Sequence, residues 1–348
     1  MRSTARLMAT LSLLVAATAC QDNQGVTTPR IAANGPASHS ITPGTCAAVL
    51  GGLVSHWTGD GTTADALGTN NGIATGNVSY APGMVGDAFS LAGDGYVFVP
   101  TSATMPAGAA ARTWTFWLYV SASQWDGDRH TPFHTGGQEL QRAFSLDFDG
   151  YPNLQFFTWG YDASFYSGMP SPDGWMHVAM TYDGNHAIIY TNGQAMGGLF
   201  GVLNTDASFG AKFGAFPEFV GGPSFFAGLI DDAALYDRAL TAGEVSSIYN
   251  AGSAGICPPT AAALTTVAIS AVQALASSGA IEPKTASTIT ASLQQVADAI
   301  QSNAPVTSVK GKLNSTDNKI DAALNSHKIT QATADALHGA VNAIRTKL

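Results

Sequence analysis

The middle of the chain contains short segments in which hydrophobic and polar residues alternate. Segments 114–120, 143–148 and 153–159 show this period of two and are rich in aromatic residues, which predicts β-strands. Asn192 and Gly193 lie between two further strand-like runs, and this pair suits the positive φ angles of a type I′ hairpin turn. Many short strands separated by turn residues predict an all-β antiparallel sandwich.

Segment 225–250 changes from strand spacing to helical spacing at Leu240. Thr241 and Glu244 form a predicted capping box, in which the threonine hydroxyl accepts from the Glu244 amide and the glutamate accepts from the Thr241 amide. Leu240 and Val245 occupy the two positions of a hydrophobic staple. These signals predict a strand that is followed at once by a short helix.

The strand in this segment carries two adjacent aspartates. Strict alternation places Asp231 on the same face as Leu229 and Leu235, and Asp232 on the opposite face. A carboxylate on an apolar face needs a partner, because burying an unpaired charge is costly. The candidate partners of Asp231 are a cation, the side chain of Arg238, or backbone amides.

Residues 259–348 contain no aromatic residue, and their apolar residues recur at helical spacing. Two sets of four apolar positions repeat at a constant offset of 48 residues: Ile281, Ile289, Leu293 and Val296, and Ile329, Leu337, Val341 and Ile344. This internal repeat predicts a small all-α module of two helical hairpins. A partly ordered amphipathic tail is the alternative, because alanine offers little apolar area to bury.

Residues 225–250 read FFAGLIDDAALYDRALTAGEVSSIYN, and this pattern resembles the C-terminal strand and helix of bacterial laminin-G-like, concanavalin A-like domains. Other segments resemble the family in the same order along the chain: the opening strand 52–57, the loop 65–72, and the hairpin within 175–193. The resemblance covers residues 46–258 and implies a concanavalin A-like jelly roll. Residues 259–348 have a weaker resemblance to the helical FIMAH-type domain of bacterial surface proteins.

The first 20 residues have the features of an export signal. Arg2 and Arg6 precede an apolar run that ends in small residues. Cys20 follows directly, which resembles the signal of a bacterial lipoprotein and implies a lipid on Cys20 and attachment to the outer membrane. Ordinary signal-peptide cleavage would give a secreted protein instead. Residues 21–45 are polar and lack periodicity, which predicts a flexible linker.

The cysteine count fits an exported protein. With Cys20 carrying a lipid, Cys46 and Cys257 remain, and they flank the aromatic region of the chain. An oxidising compartment permits a disulfide between them, which would tie the start of the sandwich to its end. Two unpaired buried thiols are the alternative.

The net charge of the predicted sandwich limits which ligands it can bind. Residues 46–258 contain 18 acidic and five basic residues, a net charge of −13. Such a domain repels phosphate backbones, so we exclude nucleic acid as its ligand. Contact with a membrane is expected only through the N-terminal lipid.

A calcium site is the first functional hypothesis. Calcium takes oxygen ligands from carboxylates, carbonyls and asparagine side chains. The resemblance points to Asp65, Asn70 and Asn71 in one loop and to Asp231 in the last strand, with Asp94 as a further ligand. The alternative is that the loop residues are ordinary turn residues.

A glycan-binding surface is the second hypothesis. Sugars present apolar C–H faces and hydroxyl groups, so their sites combine aromatic rings with polar side chains. The candidate residues are Trp159, Tyr161, Asp162, Phe165 and Tyr166, with Trp125 in a second loop. For each single ring, packing of a loop is the alternative.

Catalysis is not expected. Glycosidases with concanavalin A-like folds need two carboxylates on one strand face, and Asp147 and Asp149 come nearest to this arrangement. The E-x-D-x-x-E pattern of such enzymes is missing, and no G-x-S-x-G motif is present. We therefore expect a non-catalytic surface protein that binds glycan or extracellular matrix material. The alternative is an adhesive protein that recognises a protein partner, with the helical module as a possible docking surface, and a glycoside hydrolase comes third.

Overall fold

The structure is a computed structural model that describes residues 45–48, 51–160, 162–165, 172–216 and 224–348. The predicted signal peptide with Cys20 and the predicted linker up to residue 44 lie outside the described residues. Tyr161 and Tyr166 lie outside them as well.

Within the described residues, thirteen strands form the sandwich. They are β1 (Leu53–Trp57), β2 (Ile73–Pro82), β3 (Asp87–Val99), β4 (Arg112–Val120), β5 (His130–Gly136), β6 (Ala143–Gly150), β7 (Asn153–Phe157), β8 (Ala163–Phe165), β9 (Gly174–Tyr182), β10 (His186–Thr191), β11 (Gln194–Phe200), β12 (Ala211–Phe213) and β13 (Ala227–Tyr236). Antiparallel pairing joins them in the order β11-β10-β9-β4-β13-β3-β12-β5-β6-β7-β8, with β1 on β13 and β2 on β3. Because β8 and β11, the two ends of this order, contact each other, the sheet curls into a nearly closed sandwich.

The core of the sandwich is aromatic because alternate residues of each strand point inward. Trp114 and Phe116 of β4 are buried in this core, and Trp57 stacks on Trp114 with ring centroids 5.7 Å apart. Trp117 of the same strand lies on the opposite face, where its ring packs against Tyr249. Burial of rings of this size contributes roughly 25 cal/mol per Å² of apolar area.

Helix α1 (Ala242–Ala251) begins directly after Thr241. The Glu244 amide donates to Oγ1 of Thr241 at 3.3 Å, and the Thr241 amide donates to Oε2 of Glu244 at 2.9 Å. The predicted capping box is therefore confirmed. Leu240 and Val245 are both buried, as a hydrophobic staple requires.

A disulfide joins Cys46 to Cys257, as the sequence predicts. The two cysteines are 211 positions apart. Main-chain hydrogen bonds flank the bridge, since the Ala47 amide donates to the Gly255 carbonyl at 2.8 Å and the Cys257 amide donates to the Ala47 carbonyl at 3.0 Å. The bridge therefore closes the sandwich at the place where its first described segment meets the segment that follows α1.

Four further helices follow: α2 (Ala261–Ser277), α3 (Pro283–Gln301), α4 (Val306–Asn325) and α5 (Gln331–Thr346). Each helix packs against the next, and α2 also packs against α5, so the four form a closed bundle. The eight apolar positions of the predicted repeat are between 0% and 6% exposed. None of the helices among the described residues combines the length and the apolar character that a membrane-spanning helix needs. The chain is thus an antiparallel β-sandwich with C-terminal helices.

The helices and the sandwich share one hydrophobic cluster. Leu53 and Leu67 of the sandwich belong to the same cluster as Leu275 of α2 and Leu337 of α5. Burying such side chains favours association in proportion to the apolar area removed from water. The bundle therefore covers apolar surface of the sandwich as well as its own.

Two glycines form a close contact between the sandwich and α5. A Cβ atom on Gly339 would lie 2.0 Å from the carbonyl oxygen of Gly68, and one on Gly68 would lie 2.4 Å from the carbonyl oxygen of Gly339. Gly68 also has a φ of 77°, a left-handed conformation that other residues rarely adopt. Helix α5 is therefore packed backbone against backbone onto the loop that follows β1.

This contact predicts opposite effects for the same substitution at two helical glycines. Gly339→Ala should lower the free energy of unfolding by about 1–3 kcal/mol, because the backbones must move apart. Gly311→Ala in α4 is the matched control, since nothing lies within 4 Å of its added Cβ. The free energy of unfolding of Gly311→Ala should rise by about 0.5–1 kcal/mol, because alanine is a better helix former than glycine. Urea unfolding measures both, and equal stabilisation by the two substitutions would contradict the contact.

Candidate functional site

Backbone amides surround the carboxylate of Asp65, in the loop between β1 and β2. Oδ1 accepts from the amides of His56 and Leu67, each at 2.9 Å. Oδ2 accepts from the amides of Thr69 and Asn70 at 3.2 and 2.9 Å. Burial raises the pKa of Asp65, and these four hydrogen bonds oppose the rise. The carboxylate organises the loop, and the N–H groups compete with any cation for its oxygen atoms.

The two asparagines of the predicted calcium set lie in the same loop. Asn70 donates to Oγ of Ser55 at 2.7 Å and accepts from Oγ of Ser102 at 2.5 Å. Oδ1 of Asn71 accepts from the Asp65 amide at 3.0 Å. Both asparagines line a cleft of about 400 Å³ between the sandwich and helices α2 and α5.

The two remaining predicted ligands have other partners. Asp94 is exposed in β3 and accepts from the Asn77 side chain at 2.5 Å. Asp231 is buried in β13, where Oδ2 accepts from the Val85 amide at 2.7 Å. Burial raises the pKa of Asp231 to about 8. Among the described residues, no three His, Cys, Asp or Glu side chains are placed to hold a metal ion, so calcium binding stays a prediction.

A β-bulge changes the predicted facing of the β13 side chains. The pairing of β13 with β4 shifts between Asp231 and Ala234, and Asp232 has a φ of 47° there. Asp231 pairs opposite Trp117, whereas Leu235 pairs opposite Trp114 on the core side. The prediction that Asp231 and Leu235 share a face is therefore wrong, because the bulge adds a residue between them.

The same bulge buries Asp232 beside His56. Oδ1 of Asp232 lies 2.5 Å from Nε2 of His56, and Oδ2 accepts from the Ile256 amide at 3.1 Å. Arg238, which the sequence offered as a partner for Asp231, forms a bidentate ion pair with Glu244 at 2.8 and 2.6 Å. These contacts join the last strand to the segment that leads to Cys257.

The predicted sugar-binding residues that the structure describes do not form one group. Phe165 packs against the core of the sandwich. Trp125 packs against Phe148 and Tyr151, with ring centroids 4.6 and 5.4 Å apart. Trp159 contacts a different set of rings, so the two tryptophans mark two separate places on the sandwich.

Around Trp159 the structure assembles a cluster of rings and charges. The guanidinium of Arg129 lies 4.3 Å from the centroid of the Phe157 ring and 4.8 Å from that of Phe216. The Trp159 ring stacks on Phe216 at 6.1 Å with 11° between the planes. Arg129 also donates through Nε and Nη2 to Oδ2 of Asp147. We call Arg129, Asp147, Phe157, Trp159 and Phe216 the Arg129 cluster.

In the Arg129–Asp147 pair, the arginine side chain is partly exposed and the aspartate side chain is buried. The Arg129 side chain is 38% exposed, whereas that of Asp147 is 1% exposed. Burial raises the pKa of Asp147, while Arg129 and the hydroxyl groups of Thr131 and Ser145 lower it. Because a guanidinium keeps its proton, a neutral Asp147 would leave that charge unpaired next to aromatic rings. We therefore treat the pair as ionised.

The imidazole ring of His134 in β5 packs against the ring of Phe216. The two ring centroids are 4.6 Å apart in an edge-to-face arrangement. Burial lowers the pKa of His134 to about 3, so the imidazole is neutral. Its Nε2 contacts the Gly136 carbonyl at 3.0 Å, which identifies this nitrogen as the donor. His134 therefore adds no charge to the cluster.

Two polar atoms at the edge of the cluster have no hydrogen-bond partner in the described part of the chain: Nη1 of Arg129 and Oδ2 of Asp162. Asp162 is exposed, and its Oδ1 accepts from the Thr158 amide at 2.9 Å. This bond closes the short loop that carries Trp159, whose φ is 65°. The place thus combines the partly exposed rings of Phe157 and Trp159 with a donor group and an acceptor atom that have no partner among the described residues.

Comparison with solved structures finds matches at low sequence identity and with TM-scores below 0.5. Domain 4 of the extracellular arabinanase AbnA from Geobacillus stearothermophilus, solved with arabinotriose, is 23% identical with a TM-score of 0.46, covering 56% of this chain and 96% of that one. The binding domain of paraclostridial mosquitocidal protein 1 is 15% identical with a TM-score of 0.45, covering 57% and 52%. The binding domain of botulinum neurotoxin serotype D is 14% identical with a TM-score of 0.43, covering 57% and 50%.

The chain spans about half the length of the two toxin binding domains. No curated protein matches the chain. Residues 91–246 match the model of the Laminin G 3 family, described as the concanavalin A-like lectin/glucanases superfamily. The matched segment runs from β3 into α1 and contains every member of the Arg129 cluster. This part of the chain is therefore an antiparallel sandwich similar to those of the concanavalin A-like superfamily.

Proposed function

We propose that this chain is a non-catalytic carbohydrate-binding protein and that the Arg129 cluster is its sugar-binding surface. The observation that carries the proposal is the guanidinium of Arg129, which is fixed between aromatic rings and on Asp147, while Nη1 has no hydrogen-bond partner among the described residues. A sugar places its apolar C–H face on a ring and its hydroxyl groups against fixed polar atoms. A donor that is already held in place loses little conformational entropy when the ligand binds.

The bonding of Asp147 supports a binding role over a catalytic one. A glycosidase of the usual kind needs two carboxyl groups on either side of the scissile bond. The Arg129 cluster contains one carboxylate, and both of its oxygens are engaged, Oδ2 by Arg129 and Oδ1 by Ser145 at 3.2 Å. Asp149, the other candidate acid, is exposed and accepts from the Asn153 side chain at 2.5 Å.

We also propose that the protein is exported and that it binds calcium. The basic start, the apolar run and Cys20 support export and attachment to the outer membrane through a lipid. The disulfide between Cys46 and Cys257 is the kind of bond that exported proteins keep. Calcium would act as a structural ion held by Asp65, Asn70, Asn71, Asp94 and Asp231, and its binding would require Asp231 to release its proton.

The test is the loss of glycan binding on truncation of Trp159. Hits from a glycan array are titrated by calorimetry, and Trp159→Ala should weaken binding about tenfold or more, because it removes a central ring of the surface. Trp125→Ala is the matched control: this tryptophan packs in the other ring group and its loss should leave the affinity unchanged. If Trp125→Ala abolishes binding and Trp159→Ala does not, the surface lies at the other loop.

Two results would replace the proposal. Affinity for a protein together with no glycan binding would favour the adhesive alternative, for which Leu140 and Phe209 offer exposed apolar surface, 64% and 46% accessible. Release of sugars from a polysaccharide, lost in Asp147→Asn, would show an enzyme.

A further inference from the structure

We infer that the Arg129 cluster, together with Asp162, selects neutral saccharides against carboxylated or sulfated ones. This inference rests on the proposed function. It concerns which class of sugar the surface accepts, and it follows from how the charges are paired there and from which hydrogen-bonding atoms remain available.

The positive charge of the surface is already compensated. Asp147 is 1% exposed and is held by Nε and Nη2 of Arg129. A buried carboxylate cannot leave its counter-ion without a large loss, so Arg129 cannot turn its full charge toward a ligand. What it offers a ligand is the N–H groups that do not bond to Asp147, chiefly the two on Nη1, without an uncompensated positive charge.

The second available group at the edge is an acceptor. Oδ2 of Asp162 is an exposed carboxylate oxygen three residues from Trp159. A sugar hydroxyl both donates and accepts, so neutral sugars can satisfy Asp162 and Arg129 together. A carboxylate or sulfate group can only accept, and beside Asp162 it meets a charge of its own sign.

The charges next to Trp159 do not reverse this balance, because Arg142 is paired with both Glu139 and Asp206. Lys212 of β12 lies opposite the neutral His134 of β5 in the sheet register. Its ammonium group is 5.1 Å from the centroid of the Tyr96 ring, with which it forms a cation–π contact. The sandwich as a whole, residues 46–258, carries a net charge of −13. That field lowers the local concentration of anionic ligands at low ionic strength.

The experiment compares neutral glycans with anionic partners that have the same backbone. The full chain is screened on an array that contains both classes, and matched pairs such as methyl-esterified and free oligogalacturonate are then titrated. We expect the neutral member of a pair to bind at least tenfold more tightly. Its affinity should change less than twofold between 20 and 500 mM sodium chloride, because no net charge is neutralised on binding.

A substitution at Asp162 separates charge selection from general loss of the surface. Asp162→Asn keeps an acceptor oxygen for the Thr158 amide and removes the negative charge. It should lower the ratio of neutral to anionic affinity within a pair by at least threefold, because it removes the charge that repels the anionic member, while the amide NH2 that replaces Oδ2 can still donate to a sugar hydroxyl.

The outcomes distinguish this inference from the proposed function. If anionic glycans bind more tightly than their neutral partners, with an affinity that falls with salt, the inference is wrong and the carbohydrate-binding function stands. If neither class binds and Trp159→Ala changes nothing, the proposed function fails and the inference fails with it.

Discussion

A variant with serine at both Cys46 and Cys257 should lose about 5 kcal/mol of unfolding free energy, because the loop that the disulfide closes spans 211 residues. In the chain-entropy account, the bond mainly restricts the unfolded chain, and its contribution grows with loop length. Domains are stable by about 5–15 kcal/mol, so this loss is a large part of the total. We therefore expect the variant to be partly unfolded at about 37 °C.

Urea denaturation with and without reductant measures this effect. The reduced wild type should unfold at the same urea concentration as the double variant, and reductant should leave the double variant unchanged. A second comparison guards against damage from the serines themselves, since Cys46→Ser alone should match the reduced wild type. Equal midpoints for the oxidised and reduced wild type would show that the bridge adds no stability.

Wild-type protein should also lose stability, relative to Asp231→Asn, as the pH rises from about 4 to about 8. Burial raises the pKa of Asp231 from 3.8 to about 8 in the folded protein. Between these values the unfolded chain has released the proton and the folded chain still holds it, so rising pH favours unfolding. Each pKa unit corresponds to about 1.4 kcal/mol, which sets an upper limit of about 6 kcal/mol for the whole interval.

The asparagine variant isolates this effect because its side chain resembles the protonated acid. It keeps an oxygen for the Val85 amide, which donates to Asp231 at 2.7 Å. Unfolding free energies at several pH values, wild type minus variant, give the contribution of this one group. Asp94→Asn, at an exposed carboxylate, is the control and should keep the wild-type pH profile. A constant difference between wild type and Asp231→Asn across the interval would mean that Asp231 is ionised in the folded protein.

Local signals allowed part of this fold to be predicted. The capping box of Thr241 and Glu244 depends on residues three positions apart, and it forms with both of its hydrogen bonds. The disulfide joins distant residues, but once Cys20 is assigned to the predicted signal only Cys46 and Cys257 remain, which leaves one pairing. The helical repeat followed from spacing alone, because periodic apolar residues can be buried together only on one face of a helix.

The candidate site could not be predicted in the same way. Arg129, Asp147 and Phe216 come from three segments that the fold of the sheet brings together, and no sequence spacing records that approach. The sequence did contain one signal, which is Phe157, an aromatic residue at an outward-facing position of β7. It pairs with Ser145 of β6 on the face away from the core. An aromatic residue at such a position marks a second packed face.

The bulge in β13 explains the other difference. Alternation predicts side-chain direction only while the pairing register holds, and one added residue reverses every position beyond it. The positive φ of Asp232 is the local cause, and aspartate is among the few residue types that adopt it readily. The sequence contained two adjacent aspartates in a strand, which is compatible with a bulge but does not locate it.

The position of the disulfide also determines how the chain responds to a pulling force. Tension applied between a point before Cys46 and a point after Cys257 passes through the sulfur–sulfur bond. The 211-residue interval between them carries none of it. A contour of about 700 Å, at about 3.4 Å per residue, is thereby kept from extending. Under such tension the C-terminal helices would unravel first, while the sandwich and any sugar on it would stay folded until the bond itself is reduced.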